Sequence, residues 1–246
     1  MEDDRGSEEK QDWGDETIEF VCHPDDRGVI PEPQPSSRVL PEWYKALEMM
    51  VQSGDSKFMN STVRRCPAFL DSLNLGWILP FEADVKINTE DTGKIAVDDG
   101  GTGIVTPTTL GTGNLPDHAV GALAFRSSWA VDVPDGYSLF VVQPMNRREA
   151  RYDIVGGLID ADQSLTTVEA TGIWYASDSK TIIREGDPMF QVIPLKRDSR
   201  SENALVRPFR KDGHDQYARS TDRTNVNRSW YRNNDWVPKS TRIIQS

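Results

Sequence analysis

Residues 152–162 read Tyr-Asp-Ile-Val-Gly-Gly-Leu-Ile-Asp-Ala-Asp. Residues 181–197 read Thr-Ile-Ile-Arg-Glu-Gly-Asp-Pro-Met-Phe-Gln-Val-Ile-Pro-Leu-Lys-Arg. Each is a β-like run rich in branched and aromatic residues, with Gly and Asp as punctuation and an irregular polar segment between them. That pattern predicts short strands joined by turns. Upstream, residues 120–133 and 137–144 have the same character, and Pro134-Asp135-Gly136 between them is turn chemistry. Residues 77–87 and 94–97 extend the β region further back. Residues 98–114 hold five glycines and five threonines, which reads as a long loop or hairpin tip. That loop lacks the Gly-Lys-Ser/Thr ending of a phosphate-binding P-loop.

Before residue 77 the periodicity changes. Pro41 suits a first helical turn, where its missing N–H costs nothing. Trp43, Leu47, Met50 and Val51 then fall on one helical face, and Gly54 is a natural stop. The expected role of this stripe is packing on the chain's own sheet. A second helix is expected over 67–75, ended by Gly76. The chain thus divides into an acidic extended arm (1–35), a helical cap (36–76), a β domain (77–198) and a basic Arg/Asn-rich arm (199–246). The expected fold class is mainly β, a barrel or sandwich with a short helical N-terminal cap and extended terminal arms.

The charge is uneven. Over 246 residues the net charge is −11, yet the first 35 residues hold twelve acids against three bases, and the last 48 hold ten bases against five acids. The opening segment cannot bury enough apolar surface to offset its ordering entropy, so by itself it is expected to be disordered. The overall negative charge argues against direct nucleic-acid binding, and no apolar run approaches the roughly 20 residues that span a bilayer. Asp outnumbers Glu 25 to 14 and Arg outnumbers Lys 19 to 9. Together with the negative charge, that balance fits a salt-loving host or its virus. Trp230, Tyr231 and Trp236 stud the basic tail and are candidate interaction residues.

The run 134–197 resembles the dUTPase/dCTP-deaminase superfamily, the β-clip fold, over about a quarter of the chain. Pro134-Asp135-Gly136 matches its turn. Gly157-Leu158-Ile159-Asp160-Ala161-Asp162 matches its acidic motif, and Gly186-Asp187-Pro188-Met189-Phe190-Gln191-Val192 its last strand. The resemblance implies a β-clip-like domain, with Asp160 and Asp162 as the catalytic candidates if a nucleotide hydrolase or deaminase activity survives. Several parts of the motif set are missing. Gln163 stands where the family has a Tyr, and Pro144-Met145-Asn146-Arg147 replaces a phosphate-contacting Pro-Arg-Ser-Gly. The Gly-rich closing motif at the C-terminus is also absent. A triphosphate needs cations and backbone donors around it, so the resemblance implies a fold more than an activity. A second resemblance joins residues 40–45, 63–71 and 186–197 to an uncharacterised protein family found in tailed viruses and some microbes.

Other chemistry is thinly supplied. Cys22 and Cys66 are expected as free thiols. With His23, His118 and His214 they form no zinc-binding spacing, and no cofactor is expected. Acidic loops such as Asp98-Asp99-Gly100 can bind Ca²⁺ or Mg²⁺, but the full EF-hand pattern is lacking. The expected function is therefore a non-enzymatic virion component (capsid, turret, decoration, neck or tail) of a tailed virus, with a halophilic archaeal host. It would assemble as a homo-oligomer with other virion proteins through its arms, without nucleic acid or membrane. A nucleotide hydrolase is one alternative. A glycan- or host-surface-binding module, with Trp77, Trp129 and Trp174 as stacking faces, is another.

Overall fold

The structure, a computed structural model, describes residues 17–52, 59–89, 94–109, 115–116, 118–147, 151–178, 180–199, 203–207, 217–218 and 231–237. It is mainly β, with strands β1 (Glu19–Val21), β2 (Gln34–Pro35), β3 (Met50–Gln52), β4 (Met59–Ser61), β5 (Trp77–Pro80), β6 (Val85–Thr89), β7 (Ile95–Asp98) and β8 (Val105–Pro107). The series continues with β9 (Gly121–Asp132), β10 (Tyr137–Val142), β11 (Tyr152–Ile154), β12 (Gly157–Ile159), β13 (Thr166–Trp174), β14 (Thr181–Ile183) and β15 (Pro188–Lys196). Two short helices, α1 (Glu42–Ala46) and α2 (Pro67–Leu73), precede β5.

Two five-stranded antiparallel sheets dominate. One runs β1-β9-β13-β11, with β8 also on β9; the other runs β12-β10-β15-β5-β2. A three-stranded sheet, β14-β6-β7, and the β3-β4 hairpin complete the pairing, and no closed barrel forms among the described residues. The three larger sheets share one core. Leu79, Ile87, Leu123, Val141, Trp174 and Phe190 are each at most 1% exposed and come from all three. Alternation along β6 and β13 places these residues inward and charged ones outward, as the two-residue period of a strand requires.

At the centre Tyr152 stacks between Phe125 (4.9 Å) and Trp174 (6.2 Å), with Phe81 edge-on to Phe125 and Tyr152. The polar ends of these rings are satisfied. Tyr152 Oη donates to the Pro188 carbonyl at 3.3 Å and Trp174 Nε1 to that of Ala176 at 2.8 Å. Gly172 is required beneath this cluster, because an added Cβ would overlap the Phe125 ring. The buried Glu82 carboxylate accepts from Ser127 Oγ (2.8 Å) and Ser128 N (2.7 Å), fixing β9 beside the irregularity in its pairing with β13.

The cap differs from its sequence reading. α1 ends at Ala46 rather than running to Gly54, which lies outside the described residues, and Met50–Gln52 is a strand paired with β4. Two causes are local. The branched Val51 suits a strand, and Arg64 Nη1 donates to the carbonyls of Lys45 (3.2 Å) and Leu47 (2.7 Å). The Leu47 carbonyl would otherwise accept from the next helical turn. Trp43 packs on α2 rather than on a sheet, edge-on to Phe69 at 5.8 Å, and remains 42% exposed. The second helix lies close to its expected place. Gly76 follows it with φ +66°, pressed so closely on the Val192 carbonyl that a Cβ would collide.

Residues 17–35, the later part of the acidic extended arm, are tied into both large sheets. They supply β1 to one large sheet and β2 to the other, and the Pro31 carbonyl accepts from Trp129 Nε1 at 3.0 Å.

Candidate functional site

The acidic motif forms a turn after β12. The pairing of β10 with both β12 and β15 brings that turn beside the Pro134–Gly136 turn and the end of β15. Asp162, whose side chain is 2% exposed, is clamped there. Arg197 Nη1 donates to its Oδ1 at 2.9 Å, Arg197 Nη2 donates to Oδ2, and Gly136 N donates to Oδ2 at 2.9 Å. This two-pronged charge-assisted geometry is among the strongest a carboxylate can make. The Arg197 guanidinium, seconded by the Gly136 amide, holds the Asp162 carboxyl well below the usual range. The Asp162 carboxylate in turn pushes the Arg197 guanidinium up.

Asp160 is more open, with its side chain 62% exposed. Its Oδ1 accepts from Ser138 Oγ at 2.6 Å and lies 3.5 Å from Arg197 Nη1. Arg197 Nη1 also donates to the Tyr137 carbonyl at 2.6 Å. The structure thus brings Asp160 and Asp162 together around a cation that the sequence reading did not single out. The register supplied the missed signal: Lys196 pairs with Tyr137, so the next residue, Arg197, lands at the acidic turn. The cluster works as an electrostatic clasp joining two turns and a strand end. Asp162 is too committed to accept a proton from a substrate; Asp160 keeps one face toward solvent.

The loop at Pro144–Arg147 is equally engaged. Met145 N donates to Gln191 Oε1 at 2.7 Å, and the Asn146 carbonyl accepts from Trp43 Nε1 at 3.2 Å. Asn146 Nδ2 donates to Ser72 Oγ at 2.8 Å. Asn146 takes φ +58°, a conformation Asn tolerates better than most residues. Gln191, 1% exposed, is the hub of this loop, since its Nε2 also donates to the Leu75 carbonyl at 2.5 Å. Burial pushes the Arg147 guanidinium down. The segment at the position of the phosphate-contacting motif is therefore tied to the helical cap by the chain's own groups.

Of the other candidates, Trp129 (3% exposed) and Trp174 (0%) are core residues. Trp77 is half-buried, with its ring 5.3 Å from Phe20. Burial removes the stacking faces that glycan binding through Trp129 or Trp174 needs. Cys22 and Cys66 are free thiols. His23 Nδ1 accepts from Asp25 N, and His118 stacks on Tyr175; His214 lies outside the described residues. Asp98 and Asp99 accept from backbone amides of Gly100 and of Gly101 and Val105. No group of three or more His, Cys, Asp or Glu that could hold a metal occurs among the described residues. No helix there is long and apolar enough to cross a membrane.

In the tail, Trp230 lies outside the described residues. Tyr231–Asp235 forms a turn of π-helix with Tyr231 44% exposed. Trp236 Nε1 donates to Asp71 Oδ2 of α2 at 2.9 Å, so this part of the tail packs on its own cap.

No protein-family model matches the chain, and no curated protein matches it. Among solved structures, native EIAV dUTPase is similar at 11% identity and a TM-score of 0.35. The match covers 79% of this chain and all of that one. A likeness at that level assigns neither a family nor an activity.

Proposed function

We propose that this chain is a non-enzymatic structural protein of a tailed virus, built on a dUTPase-like β domain and assembling through its charged ends. One observation carries the reading: Asp162 and the Pro144–Arg147 loop, which a nucleotide site would need, are spent on internal contacts. Asp162 is clasped by Arg197 and Gly136, and the Pro144–Arg147 loop is held by Gln191, Trp43 and Ser72. The acidic head and basic tail supply complementary surfaces for neighbouring copies. The charge balance favours a virus of a halophilic archaeon. The protein would then reside in the virion, alongside other virion proteins.

The deciding experiment probes purified particles of the encoding virus with an antibody to the chain. Detection at a stoichiometry of many copies per particle is expected, and absence from the particles overturns the proposal. The alternative, a nucleotide hydrolase using the exposed Asp160 with Mg²⁺, is read in parallel. Pyrophosphate release from dUTP or dCTP, lost in Asp160→Asn, would replace the structural reading.

A further inference from the structure

The helical cap and the C-terminal segment enclose a half-open cavity of about 300 Å³. Tyr44, Leu70 and Trp236 give it an apolar wall, and Arg64, Arg65 and Arg232 line it with three positive charges. No Asp or Glu is among its lining residues. Among the described residues, the side-chain partners of Arg64 are the Lys45 and Leu47 carbonyls. Those of Arg65 are the Met50 thioether (2.9 Å) and the Ser61 hydroxyl (3.3 Å). All four are neutral. They fix the two guanidiniums in place without offsetting their charge, and a partly desolvated cation in that condition favours an anion beside it. A concentrated positive site is the reverse of this chain's overall charge of −11.

We propose that this cavity receives the acidic N-terminal segment, residues 2–16, of a neighbouring copy. The inference rests on the assembly reading above and gives it a docking site. Charge selects the occupant: residues 1–16 carry eight acids and two bases. Trp13, in the same segment, supplies an aromatic ring for the wall formed by Tyr44 and Trp236. Sixteen extended residues can span up to about 55 Å.

The test titrates a fluorescein-labelled peptide of residues 2–16 into the full-length chain and follows anisotropy at low and high salt. Saturable binding is expected, weakened by salt and by at least about tenfold in Arg232→Glu. A peptide with every Asp and Glu replaced by Asn and Gln should not bind. Arg232 is exposed on the tail turn, so the variant should keep the wild-type circular dichroism. Arg65→Gln provides a second variant on a different element. Light scattering should show a concentration-dependent assembly that Arg232→Glu reduces and that Asp3→Lys, Asp4→Lys and Glu8→Lys together restore. A full-length chain that stays monomeric at every concentration overturns the proposal. So does peptide binding that ignores both arginine variants. If the chain is nevertheless found in purified particles, the docking site falls while the structural reading stands.

Discussion

Replacing Gln191 by Met keeps the length of a buried side chain and removes both of its hydrogen bonds. In the native fold Gln191 accepts from Met145 N at 2.7 Å and donates to the Leu75 carbonyl at 2.5 Å, and it is 1% exposed. Both contacts are only partly buried and Leu75 is exposed, so water can reach the backbone groups in part and each lost bond costs about 0.5–1.5 kcal/mol. The expected loss is roughly 1–3 kcal/mol for Gln191→Met, or about 2–12 °C in Tm for a domain of this size. Urea denaturation followed by tryptophan fluorescence measures it, since Trp129 and Trp174 are buried reporters of the core. Gln191→Glu is a sharper companion. It keeps an acceptor for Met145 N but sets a carboxylate oxygen against the Leu75 carbonyl, so it should be at least as destabilising. A Gln191→Met protein within about 0.5 kcal/mol of wild type would refute the claim that this side chain locks the cap to the sheet.

Asp162→Asn should destabilise the chain at neutral pH. Because the folded-state pKa of Asp162 is depressed, its contribution is fully present above the unfolded value near 4 and fades as the pH falls toward the folded one. Urea midpoints of wild type and variant should therefore differ by a constant amount from pH 8 to 5, and the gap should begin to narrow near pH 4 and go on shrinking as the pH falls further; a gap already closed at pH 5, or one as wide at pH 2.5 as at pH 7, contradicts the clasp. Gly172→Ala drives a methyl group into the fully buried Phe125 ring and should cost about 1–3 kcal/mol. Gly157→Ala, with open space around its Cβ, serves as the control and should be close to neutral in thermal melts.

Much of the β architecture is legible in the chain. Pro134-Asp135-Gly136 turns as its residue types demand, with Tyr137 N donating to the Pro134 carbonyl at 3.0 Å and Gly136 at φ +84°. β9, β10 and β15 lie close to their expected places, because alternating branched and aromatic residues need a half-buried surface. The helix over 41–54 fails for a reason that periodicity cannot detect. Residues 43, 47, 50 and 51 have helical spacing, but the Leu47 carbonyl is taken by Arg64, seventeen residues away. The site shows the same limit. Asp160 and Asp162 are visible as a motif, whereas their partner Arg197 depends on sheet register, and so does the hub role of Gln191.

The strands at the margins of the two large sheets have a further consequence. β1, β8, β11 and β12 are three residues long, and β2 is two. β1 and β8 lie in tandem along one flank of the twelve-residue β9, pairing with residues 130–132 and 123–125 and leaving only short runs of it uncovered there. Short edge strands template poorly, and they are a common defence against one sheet growing onto another. On the assembly reading proposed above, a chain that accumulates at high local concentration before joining a larger structure needs that protection. Sheet-to-sheet fusion is a competing route with no defined stoichiometry. By blunting its edges, the fold disfavours strand-to-strand fusion between copies, whatever other contacts they make.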